Sequence, residues 1–233
     1  MTSFVRLKVG AGSLLMVAML CLAGLALTSA ITSDDLHVDQ HLSLFRFGAA
    51  TTVSMDLTQA AQAAVGLGAL AMAAIVLFLR QRRWDAVRLV AVAGSAWVVA
   101  LAVKDVFNRP RPPASLWLLR PDPTGSFPSG HTTTAVVIFL CACVLAWRLR
   151  RVRLVVIAIG LVYALAVGAS RLYLGDHYPT DVLGSFLTVA ATALLVWAIT
   201  DLPGVRQLAA RFLPLPELAD TASSVDTVQI SVR

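Results

Sequence analysis

An all-α fold is predicted for this chain: a polytopic membrane protein with six transmembrane helices and its reactive residues at the extracytoplasmic helix ends. Three observations predict it. Hydrophobic residues make up 58% of the sequence and charged residues only 14%, with a mean hydropathy of +0.78. Soluble domains carry roughly 45–50% apolar and about 25% charged residues. Six apolar runs approach or reach the roughly 20 residues that a spanning helix needs. The arginines and lysines between the runs cluster at alternate connections, so that all clusters fall on one side if every run spans.

The first run, Val9–Ile31, follows Arg6 and Lys8. Thr28-Ser29-Ala30 resembles a cleavage site, but the apolar stretch exceeds the roughly 7–15 residues of a signal peptide, so a retained helix is expected. The next connection holds Asp34, Asp35, Asp39 and Asp56 against Arg46, and its apolar middle (Leu36, Leu42, Leu44, Phe45, Phe47) suits a short amphipathic helix in the membrane interface. Ala60–Leu79 and Ala86–Phe107 are joined by Arg80, Arg82, Arg83 and Arg88. Thr132–Trp147 is short as drawn and is expected to begin nearer Ser129. Arg148, Arg150, Arg151 and Arg153 join it to Val152–Ala169, and Arg206 and Arg211 follow the last run, Val182–Thr200.

The positive-inside rule makes the side of these clusters cytoplasmic. Both termini are then cytoplasmic, in a multi-pass protein of the cell membrane. Residues 1–202 form the membrane domain and 203–233 a cytoplasmic tail, disordered from about Glu217. Cys21, Cys141 and Cys143 lie within apolar runs and read as small buried hydrophobes, not as a disulfide or zinc framework. The net charge of +6 forms no basic stripe on a polar domain, so the bilayer and not nucleic acid is the partner.

The polar residues that this rule leaves unexplained gather at the opposite face. Lys104 and Asp105 end the third run, Arg109, Arg111 and Arg120 lie in the following loop, and His131 opens the fourth run. Arg171 ends the fifth, and His177 and Asp181 open the sixth. Ionisable groups at membrane helix ends are functional candidates. Asp181 stands four residues beyond His177, so on one helix face its carboxylate can hold one ring nitrogen and leave the other free as a nucleophile. A plain helix-capping pair has the same spacing.

Lys104 and Arg111 are suited to clamp phosphate oxygens, although snorkelling to headgroups is the simpler use of such a pair. Pro128-Ser129-Gly130-His131 precedes a helix whose free N–H groups would seat an anion. Ser129 adds a donor there or simply caps the helix, and His131 would stand beside the anion as a general acid. Together these residues describe in-line phosphoryl transfer with no metal and no cofactor. Lys104, Arg111 and Arg171 would neutralise the equatorial oxygens while His177 attacks and His131 protonates the leaving oxygen.

Lys104-x6-Arg111-Pro112, Pro128-Ser129-Gly130-His131 and Ser170-Arg171-x5-His177-x3-Asp181 resemble the full three-part signature of the type 2 phosphatidic acid phosphatase superfamily. Its members are integral-membrane lipid phosphatases that share their site with vanadium haloperoxidases. The resemblance implies His177 as nucleophile, Asp181 as its partner and His131 as general acid. It implies Lys104, Arg111, Ser129, Gly130 and Arg171 as phosphate ligands, with Ser170 in support. Arg109, Arg120 and Asp176 fall outside the signature and receive no role beyond a share in substrate selection. The expected substrate is a membrane lipid phosphate or diphosphate at the outer leaflet: a polyprenyl diphosphate such as undecaprenyl diphosphate, phosphatidate, or phosphatidylglycerophosphate.

Other readings use the same residues. A phosphotransferase would pass the phosphohistidine to a lipid hydroxyl instead of water. A metal-dependent hydrolase would take His131, His177 and Asp181 as ligands. A vanadate-dependent haloperoxidase would be soluble. A non-catalytic lipid-binding or transport protein with this fold would be expected to have lost a histidine or the aspartate.

Overall fold

The computed structural model describes residues 3–212, all of whose regular structure is helical: α1 (Ser3–Leu25), α2 (Ser29–Ser43), α3 (Gly48–Ala60), α4 (Ala63–Leu79), α5 (Arg83–Phe107), α6 (Gly130–Ala146), α7 (Arg153–Tyr173), α8 (Pro179–Thr200) and α9 (Pro203–Phe212), with a short 3-10 turn at Ala114–Leu116. The stretch from Glu217, read as disordered, lies outside the described residues. Four helices are long and apolar enough to cross a membrane: Phe4–Leu25 of α1, α5, α7 and α8. The pair α3 and α4, bent by 53° at its break, makes a fifth if it is one span, whereas α6 is apolar but has only 17 residues.

Local chemistry moves several expected boundaries. The first helix stops at Leu25 and not at Ile31, because Thr28 ends it and starts the next one: its hydroxyl donates to Leu25 O at 2.7 Å and accepts from Ile31 N–H at 3.5 Å. In place of one short interfacial helix, the chain forms α2 and α3, joined by an elbow that exposes Leu44, Phe45 and Phe47. The run expected from Ala60 breaks at Ala61-Gln62 and resumes at Ala63. α5 begins three residues early, and α7 runs four residues past Ala169 to Tyr173. α6 starts at Gly130 with Ser129 as its cap, and α8 starts at Pro179, where a missing N–H costs nothing.

The bundle core is built from the small and branched residues of α4 to α8, among them Leu89, Ala93, Ala96, Val137, Ala164, Val167 and Val189. A second cluster of Met19, Ala23, Ala26, Val103 and Phe127 closes the end of α1 against α5 and the loop before α6. α1 packs along α8. Gly12 permits this approach, since a Cβ there would stand 2.9 Å from Leu195 Cγ. Leu14, Met72, Val98, Ile159 and Val162 face outward, an apolar coat suited to lipid.

The two ends of the bundle differ in kind. At one, Lys8 of α1 (2.6 Å), Arg88 of α5 and Arg206 of α9 (3.5 Å) all reach the carboxylate of Asp201, and Arg82 pairs with Asp85 at 2.7 Å. At the other lie the C-terminal ends of α5 and α7 and the N-terminal ends of α6 and α8, where the histidines and cations noted in the sequence are found. Asp201→Ala removes the common anchor of three cations. It is expected to lower the melting temperature in detergent by a few degrees, as for loss of about 1 kcal/mol, and to leave turnover at the opposite end unchanged.

Candidate active site

Asp181 sits in the first turn of α8, completely buried. Its Oδ2 accepts from Tyr178 N–H at 2.9 Å, closing the start of the helix, and lies 3.3 Å from His177 Nδ1. Helix cap and histidine partner, the two roles that the spacing allowed, are therefore filled by one oxygen. Ser126 Oγ also donates to Oδ2 and stands 3.3 Å from His177 Nδ1.

With Nδ1 against the carboxylate, His177 directs Nε2 towards Arg111, whose Nη1 is 3.2 Å away. His177 is 2% exposed. Burial, reinforced by the Arg111 and Lys104 charges and opposed by Asp181, pushes its imidazole well below the ordinary histidine range. The ring is thus neutral at neutral pH, the state a nucleophile requires.

The cations are held by the backbone and by one acid. Lys104 Nζ donates to Gly125 O at 2.5 Å, and Arg111 Nε donates to Thr124 O at 3.1 Å. Arg111 Nη1 also donates to Asp176 O at 3.0 Å and Asp176 Oδ1 at 2.8 Å, and Arg171 Nη2 pairs with Asp176 Oδ2. Arg171 Nη1 donates to Thr58 Oγ1 of α3 at 2.6 Å, while its buried Nε has no partner. α5 ends at Phe107, with Asn108 in the left-handed conformation, so Arg111 reaches the cluster from the loop.

Ser129 is the N-cap of α6, accepting from Thr132 N–H at 3.4 Å and Thr132 Oγ1 at 3.0 Å, and its own N–H donates to Asp181 O at 3.2 Å. A Cβ on Gly130 would meet nothing within 4 Å, which leaves the helix N-terminus open to an approaching anion. His131 lies within electrostatic reach of Arg171, Arg111 and Lys104, and His177 within reach of the last two. Ser170 turns inward and donates to Val167 O of its own helix at 2.7 Å, so its part is in the helix and not in the pocket. Among the described residues, no three His, Cys, Asp or Glu side chains are grouped to hold a metal ion.

Gly175 makes the loop possible. Its φ is +74°, and a Cβ there would lie 2.0 Å from Leu116 O. Arg46 stitches the same loop from outside, donating to Tyr173 O at 2.9 Å and Leu116 O at 2.7 Å.

Sequence reasoning gave Ser126 and Thr58 no role, and Arg109 and Asp176 none beyond substrate selection, whereas all four bond to the residues of this cluster. Asp176 bridges Arg111 and Arg171. Ser126 bonds the Asp181 carboxylate. Thr58 steadies Arg171. Arg109, 2% exposed, pairs with Asp181 Oδ1 at 2.6 Å and with Asp35 Oδ2 at 2.8 Å. Only Arg109 carried a signal, being a cation on the side where topology disfavours one. The acidic helix α2 adds Asp39, which is buried with neither carboxylate oxygen hydrogen-bonded. Burial and the neighbouring Asp35 and Asp181 push its carboxyl up to about 8.

Known proteins resemble this chain in sequence and in fold. The family model described as the PAP2 superfamily matches residues 85–203. Phosphatidylglycerophosphatase B of Bacillus subtilis is 28% identical over 172 residues, covering 72% of this chain and 83% of that protein. Undecaprenyl-diphosphatase BcrC of the same species is 36% identical over 77 residues, 33% of this chain and 36% of its own. The crystal structure of a transmembrane PAP2 type phosphatidylglycerolphosphate phosphatase from Bacillus subtilis superposes with a TM-score of 0.73 at 28% identity, over 82% of this chain and 96% of that one. LpxE of Aquifex aeolicus gives a TM-score of 0.55 at 25% identity, over 70% and 94%.

The buried Asp39 makes a pH prediction. Its proton is held in the fold up to about pH 8 but is lost near the ordinary aspartate value of 3.8 in the unfolded chain, so folding stability falls as pH rises through that interval. Asp39→Asn, which mimics the protonated acid, is expected to melt at the wild-type temperature near pH 4 and several degrees higher at pH 8–9. Thermal melts across that range check it.

Proposed function

The chain belongs to the PAP2 superfamily, and from that premise we propose that it is a lipid phosphatase that hydrolyses a lipid phosphate or diphosphate at the outer leaflet through a covalent phosphohistidine. The observation that carries this reading is the orientation of His177, with Nδ1 on Asp181 at 3.3 Å and Nε2 beside Arg111 at 3.2 Å. Neutral, oriented and facing a guanidinium, Nε2 is placed to attack a phosphorus whose oxygens that guanidinium binds.

In the first step the His177 Nε2 lone pair forms the N–P bond as the P–O bond to the lipid breaks, and His131 gives the departing oxygen a proton. Arg111, Arg171 and Lys104, with the N–H groups of α6 beyond Ser129 and Gly130, hold the three equatorial oxygens. In the second step water attacks the phosphohistidine. His131 takes the water's proton, inorganic phosphate leaves, and His177 is returned neutral. Asp181 fixes the tautomer and balances the charge on the ring while phosphorus is attached. The donors the cations use on Asp176, Thr124 and Gly125 are those that would turn to phosphate.

The membrane placement follows from charge. Lys8, Arg82, Arg88, Arg148 and Arg206 lie at the end opposite the histidines, so the positive-inside rule supports an extracytoplasmic site in a cell-membrane protein with six spans and cytoplasmic termini. This counts α3 with α4 as one span and α6 as another. Residues 1–202 then form the phosphatase domain and 203–233 the tail, of which α9 is the start. The relatives' names make phosphatidylglycerophosphate and undecaprenyl diphosphate the first substrates to try, with phosphatidate beside them.

Phosphate release by the detergent-purified protein from that lipid panel, with chelator present, tests the proposal. Wild type is expected to be active without added metal, and His177→Ala to lose roughly three orders of magnitude or more in kcat while still inserting in the membrane. Undiminished turnover in His177→Ala would falsify the nucleophile assignment. Lys104→Ala and Arg111→Ala are expected to raise KM as well as lower kcat, because they bind phosphate in the ground state too.

A further inference from the structure

Arg109 stands in the buried network beside Asp181. Nη1 donates to Asp181 Oδ1 at 2.6 Å and to Thr180 Oγ1 at 2.7 Å, and Nη2 to Asp35 Oδ2 of α2 at 2.8 Å. Thr180 Oγ1 donates to the same Asp35 oxygen. The guanidinium carbon lies 4.1 Å from the centroid of the Tyr178 ring, and the backbone carbonyl of Arg109 accepts from Ser126 N–H at 2.8 Å. Arg109 therefore controls both oxygens of the Asp181 carboxylate. It binds Oδ1 directly, and it fixes the backbone of Ser126, whose hydroxyl binds Oδ2.

We infer that Arg109 and Asp35 are positioning residues for the His177–Asp181 pair, so that helix α2, outside the residues 85–203 that carry the family match, is a working part of the active site. Three physical points argue for it. Tyr178 N–H and Ser126 Oγ hold Oδ2 of the Asp181 carboxylate, and Arg109 holds Oδ1, so that the carboxylate plane is fixed from both oxygens with Oδ2 on Nδ1. A lone guanidinium would draw charge from Asp181 and weaken its hold on the imidazole, and Asp35 on the far side of Arg109 offsets that pull. Finally, Arg109, Asp35 and Asp181 are all less than a tenth exposed, so solvent does not screen these effects. Arg109 and Asp35 bond to Asp181, Thr180 and each other, whereas Lys104, Arg111 and Arg171 of the proposed clamp bond to Gly125, Thr124, Asp176 and Thr58, which separates positioning from binding.

The inference rests on the proposed role of His177 and is tested beside it, with dioctanoyl phosphatidate in detergent micelles as the probe. The variants are Asp35→Asn, Arg109→Lys, Asp181→Asn, the double variant Asp35→Asn/Asp181→Asn, and His177→Ala. Asp35→Asn, equal in size to the native side chain, is expected to lower kcat about 10–100-fold, as outer-shell partners commonly do, with little change in KM. The acid limb of its pH profile should move to lower pH, because a negative charge near the imidazole is gone. In the Asp181→Asn background the same change should cost nothing further, since its route to His177 is already cut. Arg109→Lys, which cannot span two carboxylates, should behave like Asp35→Asn.

Wild-type kcat and pH profile in folded Asp35→Asn would overturn the inference. So would an equal loss in the Asp181→Asn background, or failure of Asp35→Asn to fold, either of which would make Asp35 a scaffold residue only. If Arg109→Lys alone does not fold, Asp35→Asn and the double variant still decide. An active His177→Ala would instead remove the nucleophile on which the whole reading stands, a result distinct from all of these.

Discussion

A single buried carboxylate, Asp181, organises the end of this protein that carries the proposed site. An ionised acid taken out of water is tolerated only where hydrogen bonds and opposite charge replace the lost hydration. Asp181 has Tyr178 N–H, Ser126 Oγ, His177 Nδ1 and the Arg109 guanidinium around it. These come from two connections: Tyr178 and His177 from the one between α7 and α8, Ser126 and Arg109 from the one between α5 and α6. To satisfy one side chain the chain must bring these two connections together, and His177, the proposed nucleophile, is one of the groups that does so. Folding of this end and assembly of the site are the same event.

The proposed phosphate clamp shows the complementary problem, that of keeping cations together. Arg111 and Arg171 share Asp176, and Lys104 leans on a carbonyl. Asp176 reduces the repulsion that three neighbouring positive charges would otherwise place on the fold. Thr58 adds a neutral contact from α3, which steadies Arg171 from outside the cation cluster. Preorganised in this way, the cations need little rearrangement as charge develops on a transferring phosphoryl group.

Much of this was legible in the sequence, and the residues explain why. The helix pattern could be read because apolar runs declare themselves locally, and α6 began at Gly130 because Ser129 is a good cap. The spacing of His177 and Asp181 was readable because a helix start fixes it. Arg109 was not, since its partners Asp35 and Asp181 lie 74 and 72 residues away and no local rule connects them. The α2–α3 elbow was missed because a stretch with mixed polarity gives no clear period, and its position is set by Arg46 bonding to Tyr173 and Leu116. α7 ran past Ala169 because the helix ends where Gly175 can turn, not where hydrophobicity falls.

The break between α3 and α4 has a further consequence. A bend of 53° interrupts the helical ladder and frees backbone carbonyls, a costly state inside hydrocarbon. The Tyr163 hydroxyl on α7 donates to Ala60 O at 2.8 Å, so one of these carbonyls finds its partner on a neighbouring helix and not in water. A hinge sealed by a phenol can lie at a depth where an open one would invite solvent. The angle between α3 and α4 is thereby tied to the α7 surface by a contact within the protein, whichever way the pair meets the bilayer.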